Sequence, residues 1–293
     1  MIASRRFLPS LPSMLALEAV DRLGSATAAA EELSLTHSAV SRQIKVLEDQ
    51  LGVTLVQPGR GGLRLTPAAV DYCQTLRESL TALSRASLRL KANPDGGSLD
   101  LSILPTFGIH WLAPRFRRFS LAHPEVSLNL STRLKPFDFA REPFDAAVHF
   151  GAQDWPGVSY LKIAGEEVLP VCAPGLLTDA LDRPEALLDL PLLHLDTRAS
   201  AWEDWFHHQG VDVSAPRGML FDQFTTIAQA AALEMGVALL PTFLAEAEIA
   251  RGRLVVAYGG PVASTGSYYL VWPNDRPMRA PLERFAEWIR SDL

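Results

Sequence analysis

Between residues 36 and 45 the chain sets hydroxyls and cations at helical spacing: Thr36, His37, Ser38, Ser41, Arg42 and Lys45. At about 100° per residue, Val40, Ile44, Leu47 and Leu51 fall in one narrow stripe. Ser38, Ser41, Arg42 and Lys45 fall on the opposite side, with no acid among them. The first stripe is a core face. The second is what a helix entering a DNA major groove needs, because hydroxyls and guanidinium groups meet base edges and phosphates there. Taken alone, this helix is read equally well as an ordinary solvated surface. Its surroundings favour the DNA reading, since a short capped helix precedes it and a Gly/Arg hairpin follows.

A second candidate for chemistry is His207-His208, beside Trp202, Glu203, Asp204 and Trp205. Adjacent histidines on a helix point about 100° apart and do not chelate together, so a surface helix is the better reading. HExxH, GxSxG, a Walker A loop and a GxGxxG after a strand are all missing from the sequence. The only cysteines, Cys73 and Cys172, offer neither a disulfide framework nor a CxxC metal knuckle. No catalysis, metal or cofactor is expected. Two readings compete with a DNA-binding regulator. A metal-dependent hydrolase predicts bound metal. A cytosolic solute sensor acting through protein contacts predicts exposed aromatics on the outer stripe of residues 38–45, and that stripe carries none.

These residues need elements to hold them. Leu11–Leu23 reads as a helix stopped by Gly24, and Ser25 can cap a short alanine-rich helix, Ala26–Leu33. Thr36 or Ser38 can cap the third, which runs to Leu51 and ends at Gly52. Pro58-Gly59-Arg60-Gly61-Gly62 then turns between two short apolar stretches, a hairpin carrying Arg60 and Arg64. Three helices and a hairpin within residues 1–66 outline a winged helix-turn-helix.

Thr66-Pro67 starts a fourth helix, cap followed by proline, that continues to about Ala92. Ala69, Cys73, Leu76, Leu80, Leu83, Ser87 and Leu90 step along it by four and three, a heptad seam. Little of the same chain is available to cover so long a helix, so Leu76, Leu80 and Leu83 are expected to meet a partner chain. Asn93-Pro94-Asp95-Gly96-Gly97-Ser98 then marks the strongest boundary.

From residue 98 to residue 293 strands alternate with helices. Strands are expected at Leu99–Leu104, Val126–Leu130, Asp145–Phe150, Val168–Cys172, Leu192–Leu195, Gly218–Phe221, Val237–Leu240, Leu254–Ala257 and Tyr268–Trp272. Helices are expected at Ile109–Leu121, Trp202–Gln209, Thr225–Met235, Thr242–Ala250 and Pro281–Arg290, with Gly236 placed as a helix C′ glycine. The pattern implies open, parallel-type sheets whose ligands bind beyond strand C-terminal ends.

Charge follows the same division. Residues 1–92 hold 11 of the 27 basic and 8 of the 33 acidic residues, a net +3, which leaves −9 on the other 201 and −6 overall. Only the head is expected to meet a polyanion. Mean hydropathy is +0.09, and no apolar run approaches the roughly 18 residues of a membrane helix. Met1–Phe7 is basic but leads into no long apolar segment, so the cytoplasm is the expected compartment.

The quoted residues resemble the LysR-type transcriptional regulators over essentially the whole chain. In the head the resemblance rests on Ala28-Ala-Ala-Glu-Glu-Leu-Ser, Thr36-His-Ser-Ala-Val-Ser-Arg-Gln-Ile-Lys-Val-Leu-Glu, Leu51-Gly-Val and Leu63-Arg-Leu-Thr-Pro. In the body it rests on Pro105-Thr106-Phe107-Gly108, His123-Pro124, Phe221-Asp222, Gly236-Val-Ala-Leu-Leu-Pro241 and Gly266-Ser-Tyr-Tyr, which resemble the branch of the β-lactamase regulator and the glycine-cleavage activator. The resemblance implies an α/β fold with an all-α head: a winged helix-turn-helix (1–66), a linker helix (67–92) and an effector-binding domain (98–293). That domain comprises two Rossmann-like subdomains of periplasmic-binding-protein type, about 98–165 with 266–293 and about 166–265. Crossover strands are placed near 161–170 and 260–268. It further implies a homotetramer built of two dimers on a pseudo-palindromic promoter site in double-stranded DNA.

For the effector the resemblance implies Thr106, Phe107, Asp138, Phe221, Asp222 and Tyr268, with His149 a weaker candidate near a strand end. A polar ligand, peptide-like or amino-acid-like, is expected. Two departures stand out. The wing usually carries Leu-Phe-x-Arg, and here Leu55-Val56-Gln57-Pro58 lacks the arginine, a role left to Arg60 and Arg64. A serine expected just after Phe221-Asp222 is replaced by Gln223-Phe224, which adds bulk to the site.

Overall fold

The computed structural model describes residues 4, 7–59, 62–93, 97–177 and 181–292, with Arg89 and Asp292 described by backbone alone. The chain forms two compact units, Met1–Pro94 and Asp95–Leu293.

The first unit begins with α1 (Leu11–Leu23), α2 (Ala26–Glu32) and α3 (His37–Leu51). Each starts at a hydroxyl cap, Ser10, Ser25 and Thr36, whose side-chain oxygen accepts a backbone N–H of the first turn. Gly24 and Gly52 end α1 and α3 in the left-handed conformation. The hairpin follows as β1 (Val56–Gly59) and β2 (Gly62–Leu65), antiparallel, with Gln57 opposite Arg64. Gly62 has φ 146°, and a Cβ there would overlap the carbonyl oxygen of Gly24. The wing can therefore press against the α1–α2 turn, where Leu63 N donates to Gly24 O.

α4 (Pro67–Ala92) is the 26-residue helix expected from the sequence, but its seam divides. Ala69, Cys73 and Leu76 are buried against Leu17, Leu47 and Leu55 of the same unit, and Leu80 lies at the edge of that core. Arg77 ties the helix to α1 through Glu18 and Asp21. Leu76 is thus a core residue of the head and is not available to a partner chain, a correction to the seam reading. Leu83 and Leu90 are 53% and 68% exposed.

The second unit is built on one mixed sheet. Its strands are β3 (Ser98–Ile103), β4 (Ser127–Thr132), β5 (Ala146–Gly151), β6 (Val158–Cys172), β7 (Leu192–Leu195), β8 (Gly218–Phe221), β9 (Val237–Pro241), β10 (Val255–Val256) and β11 (Val262–Pro273). They run in the order β4-β3-β5-β11-β6-β9-β7-β8, with β10 on β6. The outer groups β4-β3-β5 and β9-β7-β8 are internally parallel, as expected. The long β6 and β11 join them with antiparallel pairing, so the sheet is mixed and the two crossovers form its middle.

Helices cover each lobe. The first carries a short turn α5 (Pro105–Phe107), a π-helical turn (Gly108–Leu112), α6 (Ala113–Ala122) and the C-terminal helix, packed around Leu101, Phe119, Phe285 and Ile289. The second carries α7 (Ala201–His208), α8 (Phe224–Ala232) and α9 (Thr242–Ala250), with Trp202, Trp205, Phe206 and Leu240 inside. The C-terminal helix is α10 (Ala280–Asp292). Gly236 is not a C′ glycine. α8 ends earlier, at a left-handed Glu234, and Gly236 serves a close approach: a Cβ would overlap the carbonyl oxygen of Pro191, which accepts Val237 N at 2.8 Å.

Candidate functional site

On α3 the buried stripe is Val40, Ile44 and Leu47. His37, Ser38, Ser41, Arg42 and Lys45 are all exposed, on the side expected from the helical period. Thr36 is committed to the cap: its Oγ1 accepts Ala39 N at 3.2 Å and lies 3.0 Å from Ser38 Oγ. Lys45 pairs with Asp49 one turn on, at 3.0 Å, so this face does carry an acid beyond the four residues counted in the sequence. Among the described residues Arg42 has no ion-pair partner.

The helix is held from both ends. Ser13 on α1 donates to Gln43 Oε1 at 2.8 Å. Glu48 Oε1 accepts Leu55 N at 2.7 Å and Val56 N at 3.3 Å, fastening α3 to the start of the wing. Arg64 stands exposed on β2 opposite Gln57, beside the position where the expected arginine is missing. Arg60 lies outside the described residues, as do Pro94, Asp95 and Gly96 of the expected boundary.

In the second unit a cavity of about 330 Å³ opens between the lobes, beyond the C-terminal ends of β3, β4, β5, β7 and β8. Thr106, Phe107, His149, Asp222 and Tyr268 line it, five of the seven residues expected there. Thr106 is not spent as a cap, since the turn starting at Pro105 has Leu104 before it and no side-chain cap bond. Phe107 is stacked between Tyr268, at 4.0 Å, and Trp111 of the π turn, at 4.8 Å. His149 Nε2 lies 3.0 Å from Ala152 O, so that nitrogen is already engaged.

Two expectations fail. Asp138 is exposed and outside the cavity lining, because its carboxylate accepts Ala140 N at 2.9 Å and pairs with Arg141. Phe221 is also outside that lining and packs into the core of the second lobe, leaving Asp222, Gln223 and Phe224 to face the cavity.

At the floor the expected Tyr268 meets two residues that sequence reasoning missed, Glu166 and Arg198. Arg198 pairs with Glu166, and Tyr268 Oη donates to Glu166 Oε1 at 2.5 Å. The Glu166 side chain is fully buried. The Arg198 guanidinium lies 3.4 Å from the centroid of Phe150 and 4.8 Å from that of Phe224, cation–π contacts on two rings. A Cβ at Gly266 would overlap Phe150, so glycine at this place in the crossover makes room for the ring. Burial and the adjacent Glu166 carboxylate hold the Tyr268 hydroxyl far above its usual range, and it stays a donor.

His207-His208 holds no such centre. Trp202, Trp205 and Phe206 turn into the core, His207 is exposed, and Glu203 and Asp204 accept Ala215 N and Ser200 Oγ. Among the described residues no group of three or more His, Cys, Asp or Glu could hold a metal ion, and no helix is long and apolar enough to cross a membrane.

Both units match known proteins. The LysR substrate binding domain matches residues 92–293, and the bacterial regulatory helix-turn-helix protein, lysR family, matches residues 11–70. The chain belongs to the LysR family of transcriptional regulators. It is 37% identical to the HTH-type transcriptional activator AmpR of Rhodobacter capsulatus over 283 residues, 96% of this chain and 97% of that protein. It is 35% identical to the glycine cleavage system transcriptional activator of Escherichia coli K12, over 96% of this chain and 93% of that protein. The effector domain of the transcriptional regulator AmpR of Pseudomonas aeruginosa superposes with a TM-score of 0.62 at 30% identity, over 67% of this chain and 95% of that domain. As a LysR-family protein the chain is a transcriptional regulator with a DNA-binding helix-turn-helix and an effector-binding domain, in a family whose members are not enzymes.

Proposed function

We propose that α3 enters the major groove of promoter DNA, with His37, Ser38, Ser41 and Arg42 facing base edges. Lys45, Arg64 and the wing residue Arg60 then contact phosphates, and Thr36 sets the start of the helix. The observation that carries this is the outer face of α3: exposed hydroxyls beside Arg42, a cation without an ion-pair partner among the described residues, on a helix anchored by Gln43 and Glu48. The working division is a DNA-binding domain at 1–66, a linker helix at 67–92 and an effector domain at 98–293. Leu83 and the exposed side of Leu80 supply contacts between chains in a homodimer or homotetramer, and the cytoplasm is where such a protein meets its promoter.

The cavity between the lobes is the effector site in this reading, with Thr106, Phe107, His149, Asp222 and Tyr268 around the ligand. Ligand binding changes the angle between DNA-bound dimers and so changes transcription. Selection of duplexes from a random DNA library by the purified full chain tests the first step. Enrichment of a two-fold-related motif supports it, and an unenriched pool after repeated rounds overturns it.

A further inference from the structure

Four charged side chains line the cavity: Arg133, Lys135, Arg198 and Asp222. Two are already neutralised. Arg133 pairs with Glu142 at 3.0 Å, and Arg198 pairs with Glu166. The other two, Lys135 and Asp222, are exposed and make no ion pair among the described residues, not even with each other. They stand on opposite lobes, Lys135 in the loop after β4 and Asp222 in the loop after β8. The wall between them is apolar and aromatic, with Phe137, Trp155 and Phe224.

Among the described residues, one cation and one anion without ion-pair partners face this cavity from two lobes, and they suit a ligand that carries both charges. A plain anion would leave Asp222 unmatched, and a plain cation would leave Lys135 unmatched. Resting on the reading of this cavity as the effector site, we propose that the ligand is a small zwitterion, an α-amino acid. Its carboxylate accepts from Lys135 on the first lobe, and its ammonium donates to Asp222 on the second. Charge-assisted bonds at both ends make the ligand a bridge between lobes, so occupancy is coupled to their separation. The buried Arg198–Glu166 pair serves as a neutral floor, and Phe137 and Trp155 take an apolar side chain.

The test is a melting and titration series on the full chain with the twenty free L-amino acids. The best binder is then compared with its deaminated acid and its decarboxylated amine. At least one amino acid is expected to raise the melting temperature, and each counterpart to bind at least tenfold more weakly. Lys135→Ala should erase the preference over the amine, and Asp222→Asn the preference over the acid. Absence of binding by all twenty at millimolar concentration, or equal binding by the counterparts, overturns the zwitterion. If the acid or the amine binds best and Thr106→Val removes that binding, the cavity remains the ligand site and only the zwitterion fails. If an amino acid still binds with Lys135, Asp222 and Thr106 all replaced, the cavity reading fails with it.

Discussion

The guanidinium of Arg198 lies over the ring of Phe150, 3.4 Å from carbon Cζ to centroid. Arg198 sits in a 3₁₀ turn after β7 of the second lobe, and Phe150 is the last residue but one of β5 in the first. The contact therefore joins the two lobes at the floor of the cavity, and Glu166 on a crossover strand holds the charge in place.

Removing Glu166 should strand that charge. Breaking a buried pair by deleting one partner costs about 3–5 kcal/mol, whereas replacing both by apolar groups of similar volume is often close to neutral. Glu166→Ala is expected to lower the urea midpoint markedly. Glu166→Met combined with Arg198→Leu should recover most of it, and a double variant no more stable than Glu166→Ala would contradict this account of the floor.

Leu83 is 53% exposed on α4, past the point where the head covers the helix. A charge there has no cost in a monomer and a large one in a helix pair. Leu83→Asp is expected to shift sedimentation of the full chain toward monomer while leaving its circular dichroism unchanged. Leu76→Asp should instead unfold the head, because Leu76 is core.

How much of this was legible beforehand depends on the range of the contacts. Helices α1 to α4 were readable because their caps and periods are local, and α4 runs over the residues expected. The residue pattern alone gives strands only at Val168–Cys172 and Tyr268–Trp272, and the crossovers near 161–170 and 260–268 come from the family resemblance, short of the full β6 (Val158–Cys172) and β11 (Val262–Pro273). The first half of β6, from Val158 to Glu167, is half-exposed and carries no apolar run to betray a strand. The seam on α4 was visible as a period, but a period does not say which surface covers it, and Leu17, Leu47 and Leu55 turned out to cover its first half. Asp138 was misplaced because a loop carboxylate is as readily used by its own turn as by a ligand. Arg198 left no local signal at all, since its partners Glu166 and Tyr268 lie 32 and 70 residues away.

Cys73 is buried and donates to Asp21 at 3.6 Å. Burial, and then the Asp21 carboxylate, push its thiol up to about 11. A thiol held that high is almost wholly protonated at pH 8, and only the thiolate attacks an alkylating agent. Iodoacetamide at pH 8 should leave Cys73 unmodified in the folded chain and modify it in urea, as read by peptide mass spectrometry. Rapid modification of the native protein would show that the head opens there.

The central claim is that α3 reads DNA, and Arg42 tests it most directly. Binding of the wild type and of Arg42→Ala should be measured over a salt series, on the DNA selected by the full chain and on a scrambled duplex. A base contact predicts a loss of about 1–3 kcal/mol on the selected site. It also predicts little change on scrambled DNA and a salt slope close to wild type. Unchanged affinity on both duplexes, with an unchanged slope, would remove Arg42 from the interface and contradict the placement of α3 in the groove.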